Sequence, residues 1–170
     1  MEESAKAVIK EAKVIDSELA KFSPIAVVSA AKLDAVNETK FNQAVNMSAS
    51  SDTNSQKEAI KMFVELKDPR AIEIMRNMIT SRSPLASDIE VVKALGSFKE
   101  PQAADYLIII LLQTSYDSTI RAEAANSLGN IGDVRAVEAL GSVISNSGEY
   151  SSVIKAASEA LGRIGDPRAV

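Results

Sequence analysis

A phrase that returns in register constrains this chain more than any single residue does. Ala94-Leu95-Gly96-Ser97-Phe98-Lys99-Glu100-Pro101, Ser127-Leu128-Gly129-Asn130-Ile131-Gly132-Asp133-Val134 and Ala160-Leu161-Gly162-Arg163-Ile164-Gly165-Asp166-Pro167 align residue for residue, with Leu95, Leu128 and Leu161 placed 33 positions apart. A more divergent copy, Met62-Phe63-Val64-Glu65-Leu66-Lys67-Asp68-Pro69, lies upstream, its Pro69 preceding Pro101 by 32. It lacks the glycine that follows the leucine in the other three. A unit this short cannot bury an apolar face alone, so successive copies must stack side by side.

Each unit reads as two helices. Asp68 and Asp166 can accept hydrogen bonds from the first backbone N–H groups of a helix, and Pro69 and Pro167 sit where a missing N–H costs nothing; Asp133 and Glu100 hold the same place less ideally. Apolar residues then recur on one helical face, as Ala71, Ile72, Met75, Met78 and Ile79, and again as Ala136, Val137, Leu140, Val143 and Ile144. Polar loops follow at 80–84, 113–118 and 145–149. A second helix follows each loop, with Ile120, Ala124, Ser127, Leu128 and Ile131 matched by Val153, Ala157, Ala160, Leu161 and Ile164. Gly129 and Gly162 allow neighbouring backbones to approach, and Gly132 and Gly165 allow the chain to reverse. The register predicts helices near 55–66, 68–80, 87–98, 101–113, 118–131, 134–145 and 151–164. The expected fold class is all-α: an α-solenoid, a superhelical stack of antiparallel helix pairs.

The phrase Leu161-Gly162-Arg163-Ile164-Gly165-Asp166-Pro167-Arg168-Ala169 resembles the HEAT repeats, and among them the short phycobilisome-lyase type. The resemblance covers about residues 55–170. It implies a ladder of acidic and Arg side chains between repeats, for which Asp68, Asp133 and Asp166 with Arg70, Arg135 and Arg168 are candidates, interrupted by Gln102. It also implies that the second helices line the concave face. Residues between the apolar positions there form columns: Glu58, Glu90 and Glu123; Lys61, Lys93, Asn126 and Glu159; and Glu65, Ser97, Asn130 and Arg163. The functional reading is a polar groove for a partner protein, and the bland one a solvated face with local Glu–Lys pairs. The expected function is a non-catalytic protein–protein interaction scaffold. The alternative that the resemblance carries is a bilin lyase or chromophore-handling protein.

Composition narrows the chemistry. The chain has neither cysteine nor histidine, which removes thiol nucleophiles, zinc knuckles and the commonest general base and metal ligand. An iron-dependent hydroxylase of the HEAT class needs His-Glu metal motifs, and a DNA glycosylase of that class a basic cleft with aromatics; neither suits these residues. With a net charge of −4 and Lys and Arg scattered singly, no basic stripe is present for nucleic acid. No carboxylate pair stands beside a convincing second catalytic group, so no catalytic residue, cofactor or metal is expected. The longest apolar run, Tyr106 to Leu112, falls far short of the roughly 20 residues of a membrane span. The start Met1-Glu2-Glu3-Ser4 lacks the pattern of a secretory signal, and a cytoplasmic location is the expectation.

Residues 1–54 depart from the repeat and read as an N-terminal helical cap ahead of an array over 55–170. Val8, Ala12, Ile15, Leu19 and Phe22 form a narrow apolar seam over 2–21; Ser23-Pro24 opens a second helical stretch to about Val45, broken near Asn37. The run 48–54 reads as a loop, with Ser55-Gln56-Lys57-Glu58 as a capping box. At the other end Asp166-Pro167-Arg168-Ala169-Val170 begins another repeat, which suggests a fragment of a longer array and a sticky end through which copies could associate. Finally, Ile108, Ile109 and Tyr106 add apolar surface to the 101–113 helix, either buried locally or open to a partner.

Overall fold

A computed structural model of the chain describes residues 24–79 and 86–165. The seam at 2–21, the loop at 80–84 and the closing 166–170 segment lie outside these residues. Eight α-helices follow in order: α1 (Pro24–Ser48), α2 (Thr53–Leu66), α3 (Arg70–Ile79), α4 (Ala86–Leu95), α5 (Pro101–Leu112), α6 (Ser118–Ile131), α7 (Val137–Ser145) and α8 (Ser151–Ile164), with a 3₁₀ turn at Val134–Ala136 before α7. No strand occurs among the described residues. The chain separates into two compact units, Met1–Lys40 and Phe41–Val170. The division falls within α1, earlier than the 54/55 boundary expected from composition, because Phe41 and Ala44 are already core residues of the second unit. The helix α1 runs unbroken through Asn37.

Local chemistry explains the helix ends. Asp52, not Ser55, caps α2: its carboxylate accepts from the backbone N–H of Ser55 at 2.8 Å and from the Ser55 hydroxyl at 2.7 Å. The Ser55 hydroxyl bond, with the backbone bonds after it, holds the Asp52 carboxyl below its usual range. A capping aspartate two residues before the first polar run outcompetes the Ser55 box, which lies inside the helix instead. Asp68 and Asp133 act as expected, each accepting the backbone N–H two residues on, Arg70 and Arg135, at 2.9 Å. Glu100 makes no capping bond, and α5 begins on Pro101 alone. Where Val134 replaces proline, the first turn tightens into the 3₁₀ form before α7.

At the helix C-termini, Gly132 (φ 75°) and Gly165 (φ 67°) adopt the left-handed conformation and donate back to the carbonyls of Leu128 and Leu161. In the divergent first copy the same role falls to Lys67, at φ 50°. A side chain there is strained by its Cβ. Lys67→Gly is expected to stabilise the protein by about 1 kcal/mol. A urea melt in which the variant is no more stable than the parent would contradict this reading of the turn.

Packing in the Phe41–Val170 unit places α2, α4, α6 and α8 side by side in one layer and α3, α5 and α7 in the other. Fully buried Phe63, Met75, Leu95, Leu107, Leu128 and Leu140 run through the core between them. The first layer is pulled tight by small residues. A Cβ on Gly96 would stand 2.7 Å from the Cβ of Ser127, and one on Gly129 2.8 Å from the Cα of Ala160. Only glycine allows α4 to approach α6, and α6 to approach α8, at these spacings. Gly162 shows no such contact within 4 Å. At the head of the unit, Phe41 meets Phe63 with ring centroids 5.7 Å apart, and the Arg70 guanidinium lies 4.2 Å from the centre of the Phe41 ring. The unit is an α-solenoid.

Candidate interaction groove

The layer formed by α2, α4, α6 and α8 carries nearly all the residues singled out above. Between α2 and α4 it opens into a groove of about 420 Å³ lined by Ile60, Lys61, Val64, Glu65, Glu90, Lys93, Ala94 and Ser97. Four residues chosen from the columns, Lys61, Glu65, Glu90 and Lys93, thus share one site. Its floor is apolar. Register accounts for the opening: Val64 precedes Gly96 by 32 residues and so occupies the glycine position, while Ala94 matches Ser127 and Ala160 on the facing helix. The isopropyl group of Val64 cannot fit where a single Cβ would already collide in the later interfaces, so α2 and α4 stand further apart.

The rim is charged. Lys61 Nζ lies 3.2 Å from Glu58, an exposed pair worth only a few tenths of a kcal/mol. Glu65 has no ion-pair partner among the described residues. Glu123 lies half-buried on the adjoining α6. Burial raises its carboxyl above the ordinary range; Lys93 opposes that shift and Glu90 adds to it.

Further along the layer the columns serve packing as well as surface. Arg163 donates to the side-chain oxygen of Asn126 at 3.1 Å and to its backbone carbonyl at 3.4 Å, linking α8 to α6. Lys99 reaches the carbonyls of Asn130 and Ile131 at 2.9 and 3.2 Å, capping the end of α6 from the preceding repeat. Glu159 is exposed and 4.0 Å from Lys155. On the opposite edge Arg135 binds its own Asp133 at 2.6 Å and crosses to Asp105 at 2.6 Å and the Pro101 carbonyl at 3.1 Å. Arg135 therefore makes a cross-repeat rung, with Asp105 as its acid. Arg70 instead pairs with Asp68 at 2.6 Å and lies over Phe41.

Tyr106 is corrected from contact residue to core residue. It is 8% exposed, donates to the Arg76 carbonyl at 3.2 Å and lies beneath the Arg76 guanidinium; burial drives its phenol well above the usual range. Ile109 and Leu112, one turn apart on α5, remain exposed at 53% and 47%, on the layer away from the groove. The groove and Ile109 therefore belong to different surfaces.

One feature of the sequence was overlooked. Arg121 is 3% exposed, donates through Nε to the Leu111 carbonyl at 2.9 Å and forms a bidentate pair with Glu149, whose side chain is 2% exposed. The Arg121 hydrogen bonds hold the Glu149 carboxyl below its normal range. The available signal was the placement of Arg121 three residues before Ala124 and seven before Leu128, inside the apolar stripe of α6. A cation there requires a buried acid.

Helical pairs stacked in register in two layers define the class as a short-repeat α-solenoid. The chain belongs to the HEAT repeats, whose family model matches residues 43–119 and 108–170. Among solved structures it is similar to human deoxyhypusine hydroxylase in complex with glycerol, with a TM-score of 0.69 and 22% identity over 78% of this chain and 46% of that one. That likeness is one of fold, and this chain spans about half the length of the hydroxylase. No curated protein matches it. No helix among the described residues is long and apolar enough to cross a membrane.

Proposed function

We propose that the array is a non-catalytic interaction scaffold whose protein partner lies along α2, α4, α6 and α8. The observation that carries this reading is the groove, an apolar floor of Ile60, Val64 and Ala94 between charged walls, on the layer where the other candidate residues also emerge. The absence of histidine from the chain supports a role in binding over metal-assisted chemistry. Photo-crosslinking amino acids at Lys61 and Glu159, on the grooved layer, are expected to capture a discrete protein partner in the cells that produce the protein. The same groups at Glu73 and Glu138, on α3 and α7, are expected not to. Equal capture from both layers, or none from the first, would defeat this assignment. The Leu161–Ala169 phrase supports a second reading, bilin handling by a short phycobilisome-lyase type of repeat. Unchanged visible absorbance on mixing the protein with bilin and apoprotein would remove it.

A further inference from the structure

We infer that the α2–α4 groove is a dedicated docking site for a basic amphipathic helix, created by the substitution of valine for the repeat's glycine at position 64. The inference rests on the scaffold reading and narrows it to one site and one partner chemistry. Three observations combine. First, in the two later interfaces of the layer, Gly96 against Ser127 and Gly129 against Ala160, backbones approach so closely that a bare Cβ would collide. At the first interface Val64 faces Ala94 in the same register, and the space between the helices becomes the 420 Å³ groove. The opening is thus a local departure from the repeat and not a property of every interface.

Second, the groove has the form of a helix acceptor. The helices α2 and α4 occupy equivalent places in successive repeats, so a groove between them runs along their axes; α2, with 14 residues, is about 21 Å long at 1.5 Å per residue. Apolar side chains one turn apart on an incoming helix would fall on Ile60, Val64 and Ala94. Third, the rim has a surplus of negative charge. Glu58, Glu65, Glu90 and Glu123 are set against Lys61 and Lys93 alone. Lys61 is engaged by Glu58, Glu65 has no partner among the described residues, and Glu90 and Glu123 disfavour one another across α4 and α6. Cations flanking an apolar anchor would answer both the unpaired carboxylate and this repulsion.

The test uses two fluorescein-labelled 14-residue helical peptides with identical Leu positions, one carrying Lys and the other Glu elsewhere, titrated with the full chain in a fluorescence anisotropy assay. The Lys peptide is expected to bind at least tenfold more tightly than the Glu peptide. Val64→Gly, which lets α2 close on α4, is expected to weaken Lys-peptide binding at least tenfold without altering any charge. Glu65→Lys with Glu90→Lys, both exposed, is expected to invert the preference, and it keeps the question decidable if Val64→Gly is poorly folded. Equal affinity of the two peptides, no binding of either, or full binding by both variants overturns the inference. If the Lys peptide binds but shifts the amide resonances of Asn130 and Arg163 in place of those of Val64 and Ala94, the groove assignment fails while the scaffold reading stands.

Discussion

Arg121→Ala is expected to destabilise the protein by about 3–5 kcal/mol, because it leaves the Glu149 carboxylate buried without its partner. The bidentate pair joins the start of α6 to the loop before α8, and its Nε bond reaches the last turn of α5, so one side chain fastens three segments. Replacing both partners with apolar residues, Arg121→Met with Glu149→Leu, should recover much of the loss. The pH dependence has a definite sign. The folded-state Glu149 carboxyl is lowered, so its contribution is complete above the unfolded value of about 4.3 and disappears as pH falls through the folded one. The stability gap between the parent and Glu149→Gln should therefore be constant from pH 7 to about 5 and shrink in more acidic solution. A gap that widens on acidification would mean that the pair is not ionised in the folded protein.

The second large effect is expected at Leu128, fully buried at the centre of α6. Leu128→Ala should cost about 2–5 kcal/mol, the range for truncating a core leucine in surroundings that cannot collapse. The tight contacts of Gly96 with Ser127 and of Gly129 with Ala160, on either side of this residue, limit how far the helices can close the void. Glu123→Ala, on the open side of the same helix, should change stability by no more than about 0.5 kcal/mol. The burial that raises the Glu123 carboxyl disfavours its charge at neutral pH, so its removal relieves a small penalty. Equal losses for the two variants in urea would show that the faces of α6 are exchanged.

The register of the phrase made the stack and the helix order readable, since leucines and glycines recurring every 33 residues demand equivalent environments. The helices α6 and α8 even keep their expected limits, because Gly132 and Gly165 leave little freedom about where each must stop. The start of α2 was misread for a local reason: Asp52 and Ser55 both suit a cap, and the choice depends on which carboxylate the folded turn presents. The groove was half legible. The missing glycine at Val64 was visible, yet its consequence required the 2.7–2.8 Å approaches at Gly96 and Gly129 for comparison. Arg121 and Glu149 are 28 residues apart in a helix and a loop, so the pair follows no fixed spacing of the kind that reveals a helical face. Tyr106 was ambiguous because its hydrogen bond to Arg76 spans a repeat, and sequence alone does not orient one repeat against the next.

The contacts between successive repeats also differ in their mechanical character. The glycine contacts in the middle of the α4–α6 and α6–α8 interfaces are dry and short, whereas the ties at the edges, Lys99 to the end of α6, Arg163 to Asn126 and Arg135 to Asp105, are exposed and polar. A close central contact with weak outer ties behaves as a pivot with springs. Salt screens exposed charges far more than it disturbs apolar packing. Ionic strength should therefore set how stiffly one repeat resists rocking against the next while the spacing at the pivot is preserved.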